Sequence, residues 1–282
     1  MEPKQIDLND YVLSGGGYMG ESYNHKSNPD LMLKLYSTER TALSLLEYDC
    51  ACKAYALGIP TPEPGELVKV ADGRTGIVFR RIQGKKSFAR AIADEPSRAQ
   101  EFGEKFAVLC KDIHATKVET SQLSSTKEKY RRIIQEHPYL TTEQQEKVLR
   151  FINDIPDTDT ALHGDLHFGN VIFRGDQSWF IDLGELGYGY PLFDIGVTMM
   201  AVKYTPEEKM RELYHMDKNA ALNFWNAFVP AYFGPGRSID EIEDEIAPYC
   251  ALRILFVYSK LGFLIPERKP LIDKLFSTEA FS

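Results

Sequence analysis

The chain has 282 residues, 43% hydrophobic and 26% charged, enough for a large core in one domain or in two lobes. A net charge of −8 and a pI near 5.4 argue against nucleic-acid and anionic-membrane partners and permit a cationic small molecule. The start MEPKQIDLND does not resemble a signal peptide, and the four cysteines (Cys50, Cys52, Cys110, Cys250) lack C-x-x-C spacing, which reads as reduced thiols in a cytoplasm.

In chain order, the first feature is Val12 to Ser22, VLSGGGYMGES, where Gly15, Gly17 and Gly20 fit G-x-G-x-x-G. A shuffled chain of this composition gives that pattern about 0.1 times, so alone it is weak. No helix opens after it. A turn at Asn28-Pro29 and a second strand-like run follow instead, which places the glycines on a β-hairpin. The hairpin serves either as a phosphate cradle, where missing Cβ atoms let N–H groups approach, or as an ordinary glycine-rich turn.

Leu31 to Tyr36 reads as a strand carrying Lys34, and an inward lysine on a buried strand needs a partner. Ser37 to Leu57 reads as a helix with Leu46, Cys50 and Ala54 on its apolar line, ended by Gly58-Ile59-Pro60. Glu47 on that helix is the expected partner of Lys34, with Glu39 as the rival. Gly76 to Ile82 is a strand, and the chain divides near Ile82-Gln83-Gly84 into a nucleotide-binding lobe, 1–83, and a catalytic and acceptor-binding lobe, 84–282. A helix with Phe102, Phe106, Leu109 and Ile113 on one face follows, with His114 near its end as a packing or capping residue.

The densest chemistry lies in Ala161 to Gly196, ALHGDLHFGNVIF and then WFIDLGELGYGYPLFDIG. His163, Asp165 and Asn170 stand at H-x-D-x-x-x-x-N spacing, expected only about 0.01 times in a shuffled chain. VIF, RGDQS and WFIDL read as strand, turn and strand, which brings Asn170 close to Asp182. One carboxylate for an attacking hydroxyl, with an amide and a second carboxylate for magnesium, is what phosphoryl transfer requires. The plain alternative is a polar loop holding a hydrogen-bonded histidine.

Further on, Asp240 to Glu245 is acidic, either an attraction for an amine or a solvated helix start. Tyr204, Tyr214, Trp225, Tyr232, Phe233, Tyr249 and Tyr258 fit an aromatic box or, at helical spacing, a core. Ala251 to Ile265 reads as a buried helix carrying Arg253 and Lys260, too short to span a bilayer.

HGDLHFGNVIF, FIDLGELGYGYPLFDIG, GIPTPEPGELV and FGEKFAVLCKDIHA together resemble the aminoglycoside phosphotransferase and choline kinase-like family of small-molecule kinases. The resemblance implies an α+β, two-lobed protein kinase-like fold: a small antiparallel β-sheet lobe with one helix, and a larger, mainly helical lobe. It implies a magnesium-dependent kinase that moves the terminal phosphoryl group of ATP or GTP to a hydroxyl of a small molecule. By motif position, Asp165 is then the catalytic carboxylate, and Asn170 and Asp182 bind Mg2+. Gly15, Gly17, Gly20, Lys34 and Glu47 hold the phosphates, Arg80, Arg81 and Ile82 meet the purine edge, and Asp194 braces the catalytic loop. His163-Gly164 stands where protein kinases carry His-Arg, and no A-P-E activation segment follows Asp182, which argues for a small acceptor over a protein. The alternative is a non-catalytic nucleotide-binding switch or scaffold on the same fold. The residues indicate no oligomeric state.

Overall fold

The computed structural model describes residues 2–17, 20–261, 276 and 281. The chain is an α+β protein with two compact units: Met1–Ser87 with Asn170–Glu185, and Phe88–Gly169 with Leu186–Ser282.

In the first unit β1 (Lys4–Gln5), β2 (Tyr11–Gly17), β3 (Gly20–His25), β4 (Leu31–Tyr36), β5 (Pro64–Lys69) and β6 (Thr75–Arg80) form one sheet. Its order is β1-β5-β6-β4-β3-β2, antiparallel except where β1 runs parallel to β5. The helix α1 (Thr41–Ala56) packs on this sheet, and β7 is Lys86–Ser87. The glycine pattern lies on the β2–β3 hairpin as expected, with Gly17 paired to Gly20; Tyr18 and Met19 lie outside the described residues. Gly20 is required by packing, since a Cβ there would sit 2.2 Å from the Leu35 carbonyl oxygen.

The pleat of β4 sorts its side chains by a period of two. Leu33 and Leu35 pack with Val68, Val70 and Val78, while Tyr36 packs with Ala51, Leu67, Ile77 and Phe79. Lys34 therefore shares the α1 side of the sheet with Tyr36. The helix answers with Ser44, Glu47, Cys50, Ala51 and Ala54 buried, and the Ser44 and Thr75 hydroxyls meet at 2.7 Å. Leu46, expected on the apolar line, is 49% exposed. Turning Glu47 inward rotates its neighbour out. Gly58, at φ +76°, ends the helix in the left-handed conformation that favours glycine.

The second unit begins with α2 (Phe88–Asp94), α3 (Ala99–Ala115), β8 (Ser124–Ser125), α4 (Thr126–Gln135), α5 (Thr142–Asp154) and β9 (Ala161–Leu162). The chain then forms the hairpin β10 (Val171–Arg174) and β11 (Gln177–Phe180), which groups with the first unit rather than with the residues after 83. The reason is hydrogen bonding: β10 pairs with β7 as well as β11, and the Phe180 N–H donates to the Pro60 carbonyl at 2.8 Å. Back in the second unit follow β12 (Gly187–Tyr188), α6 (Leu192–Met199), α7 (Glu207–Tyr214), α8 (Lys218–Phe233) and α9 (Ile239–Leu261).

Two close helix crossings organise this unit. At the α3–α8 crossing, a Cβ on Gly103 would lie 2.3 Å from the Phe224 carbonyl oxygen, and Phe106 packs on Phe224 and Phe228. At the α6–α9 crossing, a Cβ on Gly196 would lie 2.6 Å from the Tyr249 carbonyl carbon. The acidic run is a capped helix start: Ser238 Oγ accepts the Glu241 N–H at 3.2 Å and the Glu241 carboxylate accepts the Ser238 N–H at 2.8 Å. Within that run Glu243 turns inward, accepting the Trp225 indole N–H at 2.7 Å. Trp225 and Tyr249 are core residues, whereas Tyr204 is exposed. The last four residues of the expected helix, 262–265, lie outside the described residues, and among those described no helix is long and apolar enough to cross a membrane.

Gly103→Ala tests the first crossing. Helix propensity alone favours alanine by about 1 kcal/mol. The clash with backbone outweighs this, and a net loss of about 1–3 kcal/mol is expected in chemical denaturation. A stabilised variant would mean that α3 and α8 stand further apart.

Candidate active site

Within the first unit the hairpin does what its spacing predicts. Val171 pairs with Phe180, and the Ile181 N–H donates to the Asn170 carbonyl at 3.0 Å, so Asn170 and Asp182 flank the same end of one ladder. Asn170 is buried, and Asp182 adopts φ 60°, a left-handed conformation uncommon for a residue with a Cβ.

Lys34 reaches across to this end. Its Nζ lies 2.7 and 2.9 Å from the two Glu47 carboxylate oxygens and also contacts Asp182 Oδ1. Burial pulls the Lys34 pKa down, but the charges and hydrogen bonds of Asp182 and Glu47 more than offset it and hold the ammonium above its ordinary value. Sequence reading missed Tyr36. Its buried hydroxyl donates to Glu47 Oε2, and burial first, then the Glu47 charge, pushes the phenol far up. The available signal was its position two residues beyond Lys34, on the same face of the strand. Glu39, the rival acid, is exposed on the turn Thr38–Arg40.

The remaining first-unit candidates are more dispersed. A Cβ on Gly15 would meet nothing within 4 Å, so packing within this unit does not demand glycine there. Arg80 pairs with Leu31, three residues along β4 from Lys34, which sets them about 10 Å apart. The N–H groups of Arg80 and Arg81 donate to the Glu63 and Asp30 carbonyls at 2.9 and 2.7 Å, and Ile82 follows half-buried.

In the second unit, the loop from His163 to Leu166 is held by α6. The fully buried Asp194 accepts the backbone N–H groups of His163 and Gly164, both at 2.8 Å, and lies 3.1 Å from His114 Nε2. Burial raises the Asp194 pKa, yet the His114 hydrogen bond and charge, with His163 and the Gly164 N–H, bring it below the usual carboxylate value. His114 is thus a packing residue; its Nδ1 lies 2.7 Å from the Tyr232 hydroxyl. One turn beyond Asp194, the Thr198 hydroxyl donates to the Leu166 carbonyl at 2.8 Å.

This bracing presents Asp165, whose side chain is 30% exposed. Arg253 of α9 donates to Asp165 Oδ1 at 2.5 Å, a contact absent from the sequence reading. On the other side His167 Nε2 stands 3.8 Å from Asp165 Oδ2, while His167 Nδ1 accepts the Gly169 N–H at 3.0 Å. Phe168 is a core residue against Tyr214 and Phe224. Burial, then the Asp165 charge, raises the pKa of Tyr214.

The sequence profile of the phosphotransferase enzyme family matches residues 16–226, three-quarters of the chain. The chain belongs to that family. No curated protein matches it in sequence. Its fold is similar to an amicoumacin kinase solved with AMP-PNP, Ca2+ and Ami, at a TM-score of 0.62 and 14% identity over 97% of this chain and 88% of that one. It is also similar to the aminoglycoside phosphotransferase APH(3'')-Id of Streptomyces rimosus, solved with ADP and streptomycin, at a TM-score of 0.52 and 18% identity over 83% and 90%. A choline/ethanolamine kinase family protein of Mesorhizobium loti matches at a TM-score of 0.53 and 17% identity over 95% and 85%. At such identities these likenesses show the fold, a kinase-like one.

Two outcomes check this geometry. Tyr36→Phe removes a donor from a buried carboxylate and should lower unfolding stability by about 1–3 kcal/mol; an unchanged denaturation midpoint would remove Tyr36 from the network. For Asp194, a folded-state pKa below the unfolded one gives stability that is full above about pH 5 and fades as pH falls through the folded value. The stability gap between wild type and Asp194→Asn should narrow below about pH 4 in denaturation series, and a pH-independent gap would contradict the assignment.

Proposed function

We propose that this phosphotransferase transfers the terminal phosphoryl group of ATP or GTP, with Mg2+, to a hydroxyl of a small molecule. The observation that carries this reading is the first-unit cluster, where one buried ammonium meets Glu47 and the αL carboxylate Asp182, beside Asn170 on the same ladder. Lys34, fixed by Glu47, anchors phosphate oxygens. Gly15 and Gly17 let the hairpin backbone approach them, and Gly20 keeps that hairpin close to β4. Arg80, Arg81 and Ile82 mark the segment that meets the purine.

Asn170 and Asp182 are oxygen donors that suit magnesium, which takes one or two carboxylates and completes its shell with waters and phosphate. Among the described residues no group of three or more His, Cys, Asp or Glu is placed to hold a metal ion. Bound magnesium neutralises phosphate charge. Asp165, held by the braced loop, orients the acceptor hydroxyl and takes its proton.

Several features favour a small acceptor. β12 begins at Gly187, soon after Asp182, so no long activation segment is present to dock a protein. The negative net charge suits a cationic acceptor. Separately, four cysteines without C-x-x-C spacing suit a reducing cytoplasm. A non-catalytic switch has no physical need to keep all three of Asp165, Asn170 and Asp182, so the kinase reading is preferred.

The test is ADP and GDP release across streptomycin, gentamicin, hygromycin B, choline and ethanolamine, acceptors and ligands named for similar structures, with sugars alongside. Release should depend on one acceptor class, and Asp165→Asn should cut it roughly 10²-fold or more while nucleotide binding persists. Full turnover by that variant would remove Asp165 from the chemistry. Asp182→Asn should weaken magnesium-dependent nucleotide binding, and an unchanged magnesium dependence would refute its ligand role.

A further inference from the structure

We propose that Arg253 is the positioning residue of the catalytic carboxylate: it clamps one oxygen of Asp165 and so fixes the direction in which that carboxylate meets the acceptor hydroxyl. The inference rests on the phosphotransfer reading above, in which Asp165 acts on that hydroxyl.

The guanidinium is buried, with a side chain only 6% exposed, and is fixed on three sides. One nitrogen donates to Asp165 Oδ1 at 2.5 Å, and another donates to the Gly164 carbonyl at 3.3 Å. Its plane lies over the Phe256 ring, 4.6 Å from the centroid. The fork therefore measures the Asp165 side chain against the backbone of its own loop, which a single ammonium point charge cannot do.

The fold delivers this side chain deliberately. The Gly196 crossing lets the α9 backbone touch α6 at Tyr249 and Cys250, and Arg253 lies one turn further along α9. The same α6 holds the loop through Asp194 and Thr198. Loop backbone and loop carboxylate are thus registered against one pair of helices. On the far side, His167 Nδ1 accepts a backbone N–H, which turns Nε2 toward Asp165 Oδ2 at 3.8 Å, beyond direct hydrogen-bond reach.

Chemistry supports a clamp. The guanidinium fixes the direction of the Asp165 carboxylate through a hydrogen bond and an ion pair. That suits a reaction whose loose transition state asks mainly for alignment. A buried ion pair is also a poor way to stabilise a helix contact, where a methionine would serve as well.

The experiment is steady-state kinetics with Mg-ATP and whichever member of the acceptor panel is turned over fastest. It compares wild type, Arg253→Met, Arg253→Lys, Asp165→Asn and the Arg253→Met/Asp165→Asn double variant. Arg253→Met should lower kcat roughly 10²-fold, as expected for a misaligned group, with the nucleotide KM and melting temperature close to wild type. Arg253→Lys should recover part of the loss. In the Asp165→Asn background, Arg253→Met should cost nothing further, because both changes remove one function. Equal losses in both backgrounds, an unchanged kcat, or a kcat loss accompanied by lost nucleotide binding and a lower melting temperature would each overturn the clamp. A wild-type chain silent with every acceptor would overturn the phosphotransfer reading and the clamp with it. An active wild type with an inactive Asp165→Asn and a normal Arg253→Met would overturn the clamp alone.

Discussion

The burial of one ammonium group governs the first unit. Lys34 sits on a central strand with its side chain 14% exposed, and an isolated charge there would cost far more than a domain can spare. Glu47, Asp182 and, through Glu47, Tyr36 resolve that cost. The constraint reaches outward from the ion pair. It fixes the rotation of α1, so that Glu47 points to the sheet and Leu46 to the surface. It also fixes the end of the β10–β11 hairpin, because Asp182 must reach the same nitrogen. Buried ion pairs contribute little net stability compared with apolar packing, so such a cluster at the edge of a glycine hairpin is better explained by what it binds.

The second unit solves a different problem, that of holding a half-buried carboxylate still on a loop. Its answer is one short helix with three uses. Asp194 takes up two loop N–H groups, Thr198 takes up a loop carbonyl, and Gly196 between them lets α9 approach. The PLFDIG segment therefore carries structural duties at Asp194 and Gly196. The aromatic core of Phe106, Phe224 and Phe228 backs Phe168 on the same loop through Phe224. Positioning of this kind can supply a large share of a phosphoryl-transfer rate, since the reaction asks for alignment and charge neutralisation above all.

Much of this was legible in the sequence. Short-range features were the clearest: the hairpin placing Asn170 beside Asp182, the Lys34–Glu47 pair, the glycine hairpin and the buried brace at Asp194. The first three rest on local periodicity or a fixed spacing, whereas the brace at Asp194 was legible only through the family resemblance. Less visible were contacts set by tertiary packing. Arg253 lies 88 residues beyond Asp165, inside an apolar helical run that reads as core. Tyr36 looked like one more apolar strand residue. Gly20 fits a phosphate motif, yet the Leu35 carbonyl alone would demand it. The hairpin's grouping with the first unit follows from the two-residue strand β7, too short to announce itself by pattern. The acidic run at Asp240 was readable both ways, and Ser238 three residues before Glu241 was the capping signal that decides it.

The central claim is that the Lys34 cluster is built to hold a magnesium nucleotide. Calorimetric titration of AMP-PNP into wild type and Lys34→Met, each with and without magnesium, tests it most directly. Wild type should bind in a magnesium-dependent manner and the variant at least about tenfold more weakly, the loss of one charge-assisted contact to phosphate. Equal binding by the two proteins, or binding indifferent to magnesium, would contradict the claim.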